Sequence, residues 1–255
     1  MTEAEWLGCG DLDSMLSYLK GDVNERKFRL TECTFLRRFW HLLTDERSRR
    51  AVELAERYAD GSAKRAELRA AHAEAETAFR EILEACPAAQ QPNGTGSFYG
   101  GAVSAAQHTA SSFYDTPELI TWREDAERFR QFGNLIWISA AAYPLGDEAA
   151  ALIGNDAIDA EQAVQAALLH ELFGNPFRSN KFAPSWRTKD VANLAQASYE
   201  ERALPSGHLD NARLAVLSDA LEEAGCADIA ILTHLRSPGP HVRGCWALDL
   251  VLGKE

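Results

Sequence analysis

The chain has 255 residues, 46% of them hydrophobic and 25% charged, which is enough apolar material for one large domain or two small ones and excludes a largely disordered chain. Its formal net charge of −12 repels phosphate backbones and anionic lipid heads. General binding to nucleic acid or a membrane surface needs a basic face for counterion release and is not expected.

Five cysteines, Cys9, Cys33, Cys86, Cys226 and Cys245, are scattered and odd in number, and no cationic region followed by an apolar run opens the chain. The expectation is a soluble protein of a reducing cytoplasm. The longest strongly apolar stretch, Leu135 to Tyr143, is far shorter than the roughly 20 residues a membrane-spanning helix needs, so no membrane partner is expected.

Helical periodicity dominates from the start. Val23 to Leu43 carries Phe28, Leu30, Phe35, Leu36, Phe39, Trp40 and Leu43 between basic residues and reads as a buried helix with a basic rim. From Asp45 to Asp60 a second apolar stripe follows, with Thr44 in the N-cap position and Gly61 as the stop. Residues 63 to 86 are rich in Ala, Glu and Arg and predict a helix packed along a narrow seam.

Between Cys86 and Gly101 the composition shifts to breakers, including Pro92-Asn93-Gly94 and Gly100-Gly101, which predicts a loop or linker over 87–101. It separates an N-terminal helical part, 1–86, from a C-terminal one, 102–255, or interrupts one continuous domain. Pro117 to Tyr143 resumes a helical pattern. Ala160 to Phe173 reads as a helix opened by Asp159 with Gln162 at capping-box spacing and ended by Gly174-Asn175-Pro176.

An aromatic connector, 177–187, precedes a helix capped by Thr188 and running to about Arg202. Leu214, Leu217, Leu221 and Ala224 mark the next helix, stopped by Gly225, and Ile229, Leu232 and Leu235 another. Pro240 suits the first position of a terminal helix ending at Gly253. No turn of the Asn-Gly type lies between alternating strands. The expected fold is all-α, an irregular multi-helix bundle or stacked helical hairpins in a single compact body with a long internal loop.

Four stretches carry a resemblance: Met1-Thr2-Glu3-Ala4-Glu5-Trp6-Leu7, Trp40 through Arg49, Phe173 through Arg178, and Gly239-Pro240-His241-Val242-Arg243-Gly244-Cys245-Trp246. Together they resemble a heavily duplicated bacterial family without an assigned activity, matched at both ends and not over about residues 87 to 158. The resemblance implies a bacterial source and an all-helical body, and it supplies no catalytic residue. It also implies relatives richer in cysteine where this chain has Glu32-Cys33-Thr34-Phe35.

The sharpest chemical candidate is a zinc site from Cys226, His234, His241 and Cys245, since two thiolates and two imidazoles suit tetrahedral coordination. A helix begun at Pro240 places His241 and Cys245 one turn apart on one face. The intervening seven, six and three residues match no compact zinc motif. The competing reading makes both cysteines small buried hydrophobes and both histidines helix-end residues.

His170-Glu171 starts a zinc-protease motif that fails, because Gly174 stands where the second histidine belongs. His108 with Ser104, Ser111 and Ser112 lacks a framing oxyanion turn. The basic residues Arg37, Arg38, Arg47, Arg49 and Arg50 around Phe39 and Trp40 offer a binding face, although Asp45, Glu46 and Glu53 stand nearby to neutralise it. Binding anchors are therefore expected among Arg37, Arg38, Trp40, His241, Arg243 and Trp246, the last two because Arg and Trp dominate interface hot spots.

These observations favour a non-enzymatic helical interaction or regulatory module of a bacterial cytoplasm, with no cofactor and another protein as partner. The alternatives are a zinc-binding protein with a C-terminal Cys/His site and a hydrolytic enzyme.

Overall fold

A computed structural model describes residues 1–19, 24–85, 147–178 and 181–254. The loop expected over 87–101, the helix expected over Pro117 to Tyr143, and His108 with its neighbouring serines lie outside the described residues. Within them the protein is all-helical apart from one two-stranded sheet, as the periodicity predicts. No described helix is long and apolar enough to cross a membrane.

In chain order the described helices are α1 (Glu3–Leu7), α2 (Leu12–Leu19), α3 (Glu25–Arg38), α4 (Glu46–Ala59), α5 (Arg65–Ala85) and α6 (Asp147–Phe173). They are followed by α7 (Lys189–Glu200), the hairpin β1 (Arg202–Ala203) with β2 (His208–Leu209), α8 (Asn211–Glu223), α9 (Ile229–Leu235) and α10 (Trp246–Leu252). The chain divides into two compact units, Cys9–Ala166 and a second built from Met1–Gly8 with Ala167–Glu255.

In the first unit α4 packs against both α3 and α5. Leu36, Phe39, Leu43, Val52, Ala55, Leu68 and Ala71 form the core, with Cys33 buried among them. The small residues Ala71, Ala75 and Ala78 on α5 are fully buried, so a narrow alanine seam lets α5 lie close to its neighbour. Between α3 and α4 the buried Arg37 guanidinium donates two hydrogen bonds to the buried Glu56 carboxylate, at 2.5 and 2.8 Å. It also lies 4.8 Å from the Trp40 ring centroid.

Two details differ from the sequence expectation here. The buried helix ends at Arg38 and tightens into a 3₁₀ turn, Trp40–Leu42, instead of running on to Leu43. The N-cap of α4 is Asp45, not Thr44, because the Asp45 carboxylate accepts from the backbone N–H of Arg47 at 2.8 Å and is also held by that residue's guanidinium.

The second unit has its core in Val191, Ala195, Tyr199, Leu214, Leu217, Leu221, Ile231, Leu235, Leu248 and Val251 from α7 to α10, with Phe182 and Trp186 of the aromatic connector packed against it. The capping residues expected from sequence act as such at α7, where the Thr188 side chain accepts from Val191 N–H. The adjacent Arg187 donates to the carbonyls of Leu250 and Val251, two of the C-terminal acceptors that α10 leaves without a helical partner.

Three expectations are corrected in this part of the chain. Helix α6 runs without interruption from Asp147, so Asp159 is interior and does not open a helix. A hairpin does form, with Arg202 paired to Leu209 and Ala203 to His208 around a turn ending in Gly207 at φ +77°. The last helix starts at Trp246, not Pro240: Leu209 N–H bonds to the His241 carbonyl at 2.9 Å and His208 bridges Val242, which holds residues 241 and 242 extended beside β2.

Candidate metal centre

Four segments of the second unit deliver four donor side chains to one point. Glu171 comes from the last turn of α6, His234 from the last turn of α9, His241 from the extended segment beside β2, and Cys245 from the N-cap position of α10. One ligand atom from each lies within 4.8 Å of all the others. Glu171, His241 and Cys245 are buried, and the His234 side chain keeps 18% of its surface.

Local structure explains each placement. Glu171 lies three residues beyond the buried Leu168 and one before the buried Leu172, so helix geometry points a carboxylate inward along the apolar stripe. Gly244, at φ +90°, turns the chain after the extended segment, and Cys245 N–H bonds back to the Val242 carbonyl at 3.0 Å. This turn brings the thiol to the same side as His241.

The Glu171 carboxylate is the hub. Its Oε1 lies 3.1 Å from Nδ1 of His241, its Oε2 3.1 Å from Nε2 of His234, and the Val242 N–H donates to Oε1 at 3.4 Å. Nε2 of His234 is also 3.2 Å from the Cys245 sulfur. Tetrahedral zinc, with bonds of about 2.0–2.1 Å to nitrogen and oxygen and about 2.3 Å to sulfur, has edges of about 3.3–3.6 Å. With Oε2 as the single Glu171 ligand atom, its edges to Nδ1 of His241 at 3.2 Å and Nε2 of His234 at 3.1 Å, and the His234–Cys245 edge at 3.2 Å, are within a few tenths of an ångström of those lengths, while the whole set spans up to 4.8 Å. The donor set of two imidazoles, a thiol and a carboxylate suits zinc chemically.

A fixed tautomer adds to the fit. Nε2 of His241 lies 3.1 Å from the Ser237 carbonyl, a group that only accepts, so this nitrogen carries a hydrogen and Nδ1 faces Glu171 and the other donors. The same bond argues against a serine nucleophile. Ser237 Oγ is 3.3 Å from Nε2, but a nitrogen whose proton is committed to the carbonyl has no lone pair with which to deprotonate the hydroxyl.

The electrostatics follow from burial and pairing. Burial raises the Glu171 carboxyl, but the hydrogen bonds and charges of His234 and His241 outweigh it and hold it below the ordinary carboxylate value. Burial likewise opposes charge on His241, yet the hydrogen bond and charge of Glu171, with the Ser237 carbonyl, raise it above the usual imidazole value. Burial, with the neighbouring Glu171 charge second, pushes the Cys245 thiol well up. Without a cation the thiol stays protonated; a metal ion at the centre reverses that preference.

Of the four residues expected to bind metal, the structure brings together His234, His241 and Cys245 and leaves Cys226 out. Cys226 follows Gly225, at φ +85°, and its N–H bonds to the Leu221 carbonyl at 2.9 Å. That is a Schellman closure of α8, which turns the Cys226 side chain into the apolar core beside Leu221. Glu171 takes its place. The available sequence signal was a carboxylate set in the stripe of Leu168, Leu169 and Leu172, which a helix buries only when a partner awaits it.

The expected binding anchors are engaged internally. Arg37 pairs with Glu56, Arg38 with Glu161, Arg47 with Asp45 and Glu81, Arg49 with Glu46, and Arg50 with Glu74. Trp40 lies beneath the guanidiniums of Arg37 and Arg49. Arg243 stacks 5.1 Å from the centroid of the buried Tyr199 ring, and Trp246 lies tilted against His234 with ring centroids 4.9 Å apart. His170 stays outside the cluster, edge-on to Trp6 at 5.3 Å.

No family model, curated protein or solved structure matches this chain, so the reading of the site rests on its own geometry.

Proposed function

We propose that this chain is a zinc-binding helical protein whose metal is held by Glu171, His234, His241 and Cys245. The observation that carries the reading is the meeting of these four donors, from four separate segments, within 4.8 Å of one another. Two imidazoles and a thiol favour zinc over the hard cations magnesium and calcium, which select oxygen.

Because the protein fills all four positions, the metal serves as a structural centre rather than a Lewis acid with an open site. It fastens α6, α9, the segment at His241 and the start of α10. The activity left to such a chain is recognition through its helical surface, with another protein as the partner.

Elemental analysis of the purified protein tests this reading. One equivalent of zinc is expected, with loss of the metal in His241→Ala and Cys245→Ala. A protein that emerges metal-free and takes up no added Zn²⁺ overturns it.

A further inference from the structure

One side of the metal centre is continuous with the seat of the N-terminal helix. Gly174 ends α6 three residues after Glu171, with its N–H bonded to the His170 carbonyl at 2.8 Å and φ at +61°. Its bare Cα faces the Trp246 ring so closely that an added Cβ would stand 2.8 Å from two ring carbons. Trp246 in turn follows Cys245 directly and leans on His234.

The other side of the same turn receives α1. Trp6, fully buried, donates its indole N–H to the Gly174 carbonyl at 2.9 Å. Asn175 Nδ2 and Arg178 Nε donate to Glu3 Oε1 at 2.8 and 2.6 Å. Helix α1 spans only Glu3–Leu7, with a capping box between Thr2 and Glu5. Isolated helices shorter than about 12–15 residues are marginal in water, so α1 depends on this docking for its existence.

We infer that metal occupancy at Glu171, His234, His241 and Cys245 controls the docking of residues 1–8 onto the turn at Gly174–Arg178. The inference rests on the metal reading above. With the metal bound, Glu171 and Cys245 are fixed, Gly174 and Trp246 are clamped against each other, and the Gly174 carbonyl and Asn175 amide are held where α1 needs them. Without it, the turn loses its clamp and α1 its platform. Linkage makes the effect reciprocal: whatever factor zinc adds to docking, docking adds to zinc affinity.

Hydrogen exchange read by mass spectrometry on the full chain, zinc-loaded and stripped, tests the inference. Amides of residues 3–8 are expected to exchange at least tenfold faster after stripping. Competition against a chromophoric chelator should show Trp6→Phe, which keeps an aromatic group but loses the indole N–H and part of the buried ring, binding zinc more weakly by a similar factor. Asn175→Ala, milder at a half-buried position, should act in the same direction and guards against misfolding of the tryptophan variant. Zinc bound with exchange at residues 3–8 unchanged, or with both variants holding it as tightly as wild type, overturns the coupling and leaves the metal site standing. A chain that binds no zinc overturns both.

Discussion

The Glu171 carboxylate lies 3.1 Å from Nδ1 of His241 with both side chains buried, and the residues are separated by 70 positions in the chain. A charge is thus placed in the core where only its partners make burial tolerable. Replacing it by the isosteric neutral amide, Glu171→Gln, keeps the shape and removes the charge. The metal-free variant is expected to lose about 1.5–3 kcal/mol, the usual worth of a hydrogen bond to a charged group, in urea unfolding with chelator present. Its zinc affinity should fall by at least tenfold. A variant as stable as wild type, with unchanged zinc binding, would remove Glu171 from the centre.

Metal removal is the complementary experiment. A ligand that binds only the folded state stabilises it by about 4 kcal/mol when free at about a thousand times its dissociation constant. Chelation is therefore expected to lower the melting temperature of the wild-type chain by several degrees while helicity below the transition persists, since the apolar core of α7 to α10 does not depend on the metal. The same chelation should leave Cys245→Ala unmoved. An equal drop in both proteins would place the stabilising cation elsewhere.

How much of this was legible in the sequence depends on the range of the forces involved. Helices α7 and α8 were readable because a cap and a stop act within a few residues: Thr188 reaches Val191, and Gly225 closes α8. Helices α4 and α9 were readable from their apolar stripes, although the α4 cap is Asp45 and not Thr44. His234, His241 and Cys245 were readable as a cluster because they lie close in the chain. Glu171 was not, since α6 reaches that point only through the tertiary fold. The start of α10 was misplaced for a similar reason: the bond from Leu209 N–H to the His241 carbonyl overrides the local preference of Pro240 for a first helical turn. Asp159 with Gln162 misled because a capping-box spacing is a weak local preference that the surrounding helix overrides, and α6 continues through them.

Gly174 offers a test of packing that separates strain from contact. Gly174→Ala places a side chain at φ +61° and drives its Cβ into the Trp246 ring. Gly61→Ala, at φ +70°, meets nothing within 4 Å. The left-handed backbone alone costs about 1 kcal/mol, so Gly61→Ala is expected to lose about that much. Gly174→Ala adds overpacking of about 1–3 kcal/mol and should lose clearly more. Equal losses in denaturant would mean that the Trp246 ring yields freely.

The buried pair Arg37 and Glu56 makes a prediction for the first unit. Glu56→Leu removes the carboxylate that accepts the Arg37 hydrogen bonds at 2.5 and 2.8 Å, and breaking a buried pair from one side costs about 3–5 kcal/mol. Replacing both partners by apolar residues of similar volume, Arg37→Met with Glu56→Leu, removes both charges together and is expected to recover most of that loss, apart from the contact of Arg37 with Trp40. A double-mutant cycle in urea checks it. If the double variant is as unstable as the sum of the two single ones, the pair contributes packing and not charge compensation.

The N-cap of α4 gives a pH dependence with a defined sign. The side-chain hydrogen bond from Arg47, outweighing a modest burial penalty and helped by the backbone N–H of the same residue, holds the Asp45 carboxyl below its ordinary value. A depressed carboxyl contributes stability that is fully present above its unfolded value and is lost as pH falls through the folded one. Asp45→Asn can still accept the Arg47 N–H as a cap but cannot titrate or pair with the guanidinium. Wild type is therefore expected to be the more stable of the two at pH 7, and the gap should close as pH falls from about 5 toward 2, the span over which a depressed carboxyl loses its charge. NMR titration of the Asp45 carboxyl carbon provides the direct reading, with a midpoint below that of an unstructured peptide. A gap that stays constant down to the acid limit would show that Asp45 acts through its backbone geometry and the neutral cap bond, with the Arg47 ion pair adding nothing.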